Sequence, residues 1–142
     1  LPLVEKFVAV SDVIKVSDED LEWLTNGEDL DHVIARWLDL GPLLIIVTRG
    51  KKGGLAVSKS GVRVEATPGD VKVVDTVGAG DSFMGGILDA MWRLQLCGPQ
   101  GRAGLETINA DKVQTILDRA SRVSDVTVSR AGANPPWSHE ID

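Results

Sequence analysis

The sequence predicts an α/β fold with a largely parallel open sheet flanked by helices. Apolar, β-branched runs alternate with stretches of helical spacing along the chain. One run, Leu43 to Val47, is apolar without interruption, the pattern of a strand covered on both faces. A third observation is a junction at residues 73–83, where an apolar strand runs through three small residues into a helix.

Phe7 to Val16 is rich in β-branched residues and reads as one or two short strands. Ser17 is a good N-cap for a helix, with Asp20 three residues later as in a capping box. After the Asn26-Gly27 break, Val33, Ile34, Trp37, Leu38 and Leu40 keep helical spacing until Gly41-Pro42 stops it. Leu43–Thr48 is a strand, Gly50, Gly53 and Gly54 turn it toward a second near Leu55–Val57, and Ser60-Gly61 turns again into Val62–Ala66, a hairpin. Val71, Val73 and Val74 suggest a short strand entering the glycine-rich segment. A helix runs from Gly80 to about Leu96, ended by Cys97-Gly98-Pro99 and followed by a loop. A last helix spans about Asn109–Val123, with Val126–Val128 either its continuation or a strand, and Gly132 and Pro135-Pro136 lie in a closing loop.

With 43% apolar and 25% charged residues, the composition is that of a globular domain and excludes a disordered or collagen-like chain. The formal charge of −6 and the lack of any block of five like charges disfavour a nucleic-acid surface. Phosphate remains within reach of such a chain through backbone amides at a helix start. Cys97 is the single cysteine, so no intrachain disulfide forms. The apolar start, Leu1–Val10, is broken by Glu5 and Lys6 and makes a poor signal peptide, and no apolar run approaches the ~20 residues of a membrane span. The simplest expectation is a cytoplasmic protein that binds neither membrane nor nucleic acid.

The chemistry is concentrated in Asp75-Thr76-Val77-Gly78-Ala79-Gly80-Asp81-Ser82-Phe83. Small residues let amides approach an anion, and the helix start adds free N–H groups and a positive dipole end, worth about 0.3–2 kcal/mol toward a nearby negative charge. A dinucleotide fingerprint fails because Phe83 stands at the third glycine position. A Walker A loop fails because Gly80 is followed by Asp81-Ser82 rather than by Lys and a hydroxyl residue. Taken alone, Gly78–Asp81 reads equally well as a plain strand-to-helix turn, with Asp81 complementing the helix dipole.

The wider pattern, Asp75 to Asp81 followed by Gly85-Gly86-Ile87-Leu88, resembles the second signature of the ribokinase-like (PfkB) carbohydrate kinases at every defined position. Asp12 to Asp20 is similar to that family's strand leading into an acidic helix start. Val47 to Gly54 is similar to its nucleotide-side strand and turn, and Val128 to Ala133 to its C-terminal loop. These landmarks fall in family order across essentially the whole chain.

The resemblance implies that Asp81 is the catalytic base and that the amides of Gly78, Ala79 and Gly80 form an anion hole for the transferring phosphoryl group. It implies ATP as donor, with Thr48, Gly50, Gly53, Gly80 and Ser121 at the nucleotide. It implies Mg2+ linked to Asp20, and K+ at Asp75 and the Val77 carbonyl. Ser17-x-x-Asp20 departs from the family's Asn-x-x-Glu and leans toward fructokinase-like members, while Ser121 stands where many members carry Asn. Without the resemblance, Thr48 reads as a strand end, Asp75 as a site residue or a turn residue about equally, Arg49 and Lys52 as solvated turn charges or phosphate contacts, and His32 and His139 as solvated side chains.

The implied activity is phosphorylation of a small sugar, fructose foremost. A nucleoside kinase of the same family and a catalytically silent nucleotide-binding module are the alternatives. Family members are about twice this length, so residues 1–142 correspond to the C-terminal nucleotide-binding and catalytic portion, with the sugar-binding half and lid lying elsewhere and the full-length protein a candidate homodimer. By itself such a portion is expected to be marginally stable, to bind ATP weakly and to phosphorylate no sugar.

Overall fold

The computed structural model describes all of residues 1–142. Pro2 opens α1 (Pro2–Ala9), where its missing N–H costs nothing. Val4 and Val8, one turn apart, pack inward, and Glu5 accepts hydrogen bonds from Arg36 Nε (3.1 Å) and Trp37 Nε1 (3.3 Å). The strand expected from Phe7 is therefore a helix end, because i, i+4 burial outweighs β-branched composition. β1 (Val13–Ser17) follows directly. Ser17 then caps α2 (Asp18–Thr25), its Oγ accepting from the Asp20 amide at 3.0 Å. Asn26 leaves that helix in the left-handed conformation, φ 57°. In α3 (Leu30–Leu40), capped by Asp29, Val33, Ile34 and Trp37 form the buried stripe.

The apolar run becomes β2 (Leu44–Thr48), in which Leu44, Ile45, Ile46 and Val47 are all fully buried. β2 pairs in parallel with β1, from Val13 opposite Leu44 to Ser17 opposite Thr48. It pairs antiparallel with β3 (Gly54–Ser58), which pairs antiparallel with β4 (Arg63–Glu65). The sheet is thus mixed, in the order β1-β2-β3-β4, rather than largely parallel. The tight turns at 49–53 and 59–62 force this, since a parallel crossover needs a dozen or more residues.

Alternate residues of β2 enter opposite cores. Ile45 and Val47 join Leu55 against α1, α2 and α3, packing on Val8, Leu21 and Trp37. Leu44 and Ile46 join Ala56 in the larger core, covered by α4 (Ala79–Arg93), α5 (Gly98–Glu106) and α6 (Ala110–Val128). Each buried Leu, Ile or Val side chain contributes about 1.5–3 kcal/mol. β1 has a neighbour on one edge only.

Three further expectations change. Residues 71–74 form no strand: Val73 and Val74 are exposed, and the Val74 and Asp75 amides donate to the Val128 carbonyl at the end of α6 (2.7 and 3.1 Å) instead of to a ladder. α4 ends at Arg93, ahead of Gln95 at φ 58°, and Gly98-Pro99 begins α5 instead of ending α4, because proline suits a first turn. α6 continues through Val126–Val128, and the closing loop contains a one-turn helix, α7 (Ser138–Ile141). No helix is long and apolar enough to cross a membrane.

α4 and α6 cross at a glycine. A Cβ on Gly86 would lie 2.7 Å from Ala120 Cα, whereas one on Gly85 would meet nothing within 4 Å. Gly86→Ala should therefore destabilise by about 1–3 kcal/mol through overpacking. Gly85→Ala should be neutral or stabilise by up to about 1 kcal/mol, from helix propensity alone. Urea denaturation of the two variants checks the contrast, and equal effects would contradict this crossing.

Candidate active site

Parallel pairing brings the C-terminal ends of β1 and β2 to one edge of the sheet, where Ser17 and Thr48 stand side by side. In open α/β sheets this edge is where ligands bind. Two helices start there. α2 begins at Ser17 with Asp18, Glu19 and Asp20 in its first turn. α4 begins at Gly78, which takes φ 77° and lies so close to Ala133 that a Cβ would come within 2.9 Å of the alanine methyl.

Asp75 fixes this turn. Its Oδ1 accepts from the Val77 amide and its Oδ2 from the Gly132 amide, both at 3.0 Å, so one carboxylate joins the glycine turn to the 130s loop. The amides of Val77 and Gly132, helped by that of Thr76, hold its carboxyl below the usual range. At the start of α4 the Ala79 amide donates to Thr76 O at 3.2 Å, and the regular ladder opens with Ser82 N to Gly78 O at 2.9 Å. The amides of Gly78, Gly80 and Asp81 have no acceptor within the chain. Free N–H groups at the positive end of a fifteen-residue helix are chemically suited to an anion.

Thr48, Gly50, Gly53, Gly80 and Ser121, the five residues expected at a nucleotide, all line one cavity of about 610 Å³. That lies within the usual 300–1,000 Å³ of small-molecule sites. Gly53 is required there: at φ 78°, a Cβ would fall 2.0 Å from the Ala66 carbonyl oxygen. Ala79 shares this wall. Gly78 and the exposed Asp81 instead line a neighbouring cavity of about 560 Å³, together with Ser82, Gly85, Asp89 and Arg119. The turn therefore stands between the two cavities, with its free amides at the boundary. Asp20 and Val77, both exposed, line neither.

Arg49 is occupied within its own turn, donating to the Gly53 carbonyl (3.1 Å) and pairing with Glu65 (3.3 Å). His32 and His139 are exposed. No group of three His, Cys, Asp or Glu side chains could hold a metal.

Three residues escaped the sequence reading. Lys15 points its ammonium at the turn, such that a Cβ on Gly80 would lie 3.0 Å from Nζ. The available signal was a lysine between Ile14 and Val16 in an otherwise apolar strand. Ser124 donates to the Ala79 carbonyl at 3.3 Å, and Asp125 lines the larger cavity. Neither stands out until α6 is placed beside α4.

At the C-terminal edge of this α/β sheet, a helix start thus offers free amides between two cavities. The sequence matches the pfkB family carbohydrate kinases over residues 1–140, and the chain belongs to that family. It is 36% identical over 133 residues to a probable fructokinase-4 of Arabidopsis thaliana, covering 93% of this chain and 38% of that protein. A fructokinase of Xylella fastidiosa with bound ATP superposes with a TM-score of 0.75 at 26% identity, over 92% of this chain and 40% of the other. A double-mutant fructokinase of Vibrio cholerae, bound to fructose, ADP and potassium ion, gives 0.74 at 25% identity, over 93% and 39%. The chain thus spans about two fifths of the length of these relatives.

Because its folded-state pKa is depressed, Asp75 stabilises the structure fully above its unfolded pKa of about 4, and that contribution is lost as pH falls through the lower folded value. Asp75→Ala should lower the melting temperature at pH 7 and flatten its dependence on pH between about 5 and 2. Thermal melts across that range test this, and parallel curves for variant and wild type would refute it.

Proposed function

We propose that residues 1–142 form the nucleotide-binding and catalytic portion of an ATP-dependent sugar kinase, with fructose the first candidate substrate. The observation that carries this reading is the set of unpartnered amides at Gly78, Gly80 and Asp81. On one side they border the cavity lined by Thr48, Gly50, Gly53 and Ser121, and on the other the cavity lined by Asp81. The arrangement suits a donor nucleotide in the first cavity, its terminal phosphate at the turn, and an acceptor hydroxyl beside Asp81. The fructokinases bound to ATP, or to fructose and ADP, support the same pairing of ligands.

Phosphoryl transfer is mainly positioning and charge stabilisation. In this reading Asp81 takes the proton of the sugar hydroxyl while that oxygen bonds to the γ-phosphorus and the bond to the β-phosphate oxygen breaks. The amides of Gly78, Gly80 and Asp81, together with Lys15, hold the charge that spreads over the phosphoryl oxygens, whereas the Ala79 amide, expected in the anion hole, is taken by the Thr76 carbonyl. With no preformed three-ligand site, Mg2+ would fit only as a companion of the phosphates, its usual mode, and Asp20, the carboxylate the resemblance links to it, lines neither cavity. Asp75 suits a K+ site, since each of its oxygens, already bonded to one amide, keeps a free lone pair at the turn. The sugar-specifying residues belong, in this reading, to the remaining three fifths of the relatives' length.

In the complete kinase, Asp81→Asn should reduce kcat by about 10²–10⁴-fold with little change in ATP affinity. Steady-state kinetics with matched melting curves decide this, and a variant within threefold of wild type would remove the role given to Asp81.

Two surfaces support the division of the protein. β1 leaves one edge unpaired, and Leu88 and Trp92, one turn apart on α4, are 51% and 75% exposed. Residues 1–142 alone should self-associate and show no sugar-kinase turnover, and adding the N-terminal portion of the same fold should restore a soluble, active enzyme. Sedimentation and a coupled kinase assay test both statements, and a stable, active monomer would overturn them.

A further inference from the structure

Asp125 is a carboxylate on the wall of the larger cavity with nothing in the chain to bond. It lies on α6, one turn before the Val128 carbonyl that receives the Val74 and Asp75 amides. Its Oδ2 rests against the 67–71 segment, so close that a Cβ on Gly69 would come within 2.4 Å. Its side chain takes part in none of the hydrogen bonds or ion pairs that hold the surrounding loops, and burial alone pushes its carboxyl up from the ordinary value. A partly buried carboxylate without a partner in the chain keeps both oxygens free to accept from a ligand.

The position says what kind of group it could bond. The preceding residue, Ser124, touches the Ala79 carbonyl of the glycine turn at 3.3 Å. Asp125 lines the same cavity as Ala79 and Gly80 of that turn, with its Oδ2 on the side of Gly69. An ionised carboxylate only accepts hydrogen bonds and repels phosphate. The first donors beyond the phosphates of a nucleotide are the ribose hydroxyls, and the amino groups of the base lie further on. A carboxylate has two oxygens for two vicinal hydroxyls, the same match by which acidic residues hold ribose in dinucleotide sites.

Building on the nucleotide site proposed above, we infer that Asp125 reads the ribose of the phosphoryl donor, accepting from its 2′- and 3′-hydroxyls, and so selects ribonucleotides over 2′-deoxyribonucleotides. Removing one hydrogen bond to a charged group should weaken binding about 10–100-fold.

Titration of the complete kinase with ATP, 2′-deoxy-ATP and N6-methyl-ATP, followed by calorimetry, tests this for wild type, Asp125→Ala and Gly80→Val. The wild type should prefer ATP to 2′-deoxy-ATP at least tenfold. Asp125→Ala should bring the two within about twofold, leave the response to N6-methylation unchanged, and melt no lower than wild type. Equal wild-type affinity for the two nucleotides, or a preference that survives in Asp125→Ala, overturns the inference while leaving the nucleotide site intact. Loss of discrimination against N6-methylation instead would assign the carboxylate to the base and also overturn it. Absence of ATP binding, or unaltered binding in Gly80→Val, would remove the nucleotide site itself and the inference with it.

Discussion

The candidate site depends on how closely α4 can lie against α6. Gly86 presents no side chain to Ala120, so the two helix backbones meet directly, while Phe83, Ile87 and Ala90 fill the space toward the sheet. That contact fixes both helices against the same face of β2. It aims the start of α4 at the C-terminal edge of the sheet, and it carries Ser121, Ser124 and Asp125 along the wall of the same cavity. A side chain at position 86 would press on the packing and would also move the free amides relative to Thr48 and Lys15.

The glycine turn is the least regular part of this frame, and it is held by polar contacts rather than by burial. Asp75 accepts from the Val77 amide and from the Gly132 amide 57 residues further along, and the Val128 carbonyl takes the two amides that enter the turn. The tail beyond is tied back by ion pairs, with Arg119 bonded to Asp89 and to Asp142 (2.8 Å). Ile141 is buried beneath them. Exposed pairs of this kind each contribute little. Their joint effect is to restrict where the loop carrying Gly132 and Ala133 can lie, and that loop closes over Gly78.

Legibility in the sequence followed the range of the interaction that decided each element. The run Leu43–Thr48 was readable because burial on both faces leaves no polar alternation, and Ser17 was readable as a cap because the bond it makes is local. The Gly78–Asp81 turn was readable because its chemistry is carried by backbone and small residues. Residues 71–74 misled because a strand is made by its neighbour, and none lies alongside. Phe7–Val10 misled because the partners of Val4 and Val8, such as Trp37, lie some thirty residues away. Antiparallel pairing was already implied by the short turn at Ser60-Gly61, which no parallel connection can use. Lys15 and Asp125 acquire meaning only when α4 and α6 are set against β1, a matter of tertiary contact.

Charge bears on how an acidic chain could serve the polyphosphate site proposed above. With a formal charge of −6, long-range attraction of an anion is unavailable. Arg49, the nearest arginine to the cavity, is consumed by Glu65 and turn carbonyls. What remains is short-ranged: amides without acceptors, the positive end of α4, and the Lys15 ammonium, which no carboxylate neutralises. Such groups act over the first few ångströms and are fixed before a ligand arrives, so they gain strength as water is excluded. The same geometry makes the placement of Asp125 informative. A negative side chain at the rim of an anion site weakens it unless the ligand brings hydroxyl or amino donors to that spot. A ligand combining clustered negative charge with donors a few ångströms further along has the chemical outline of a nucleotide.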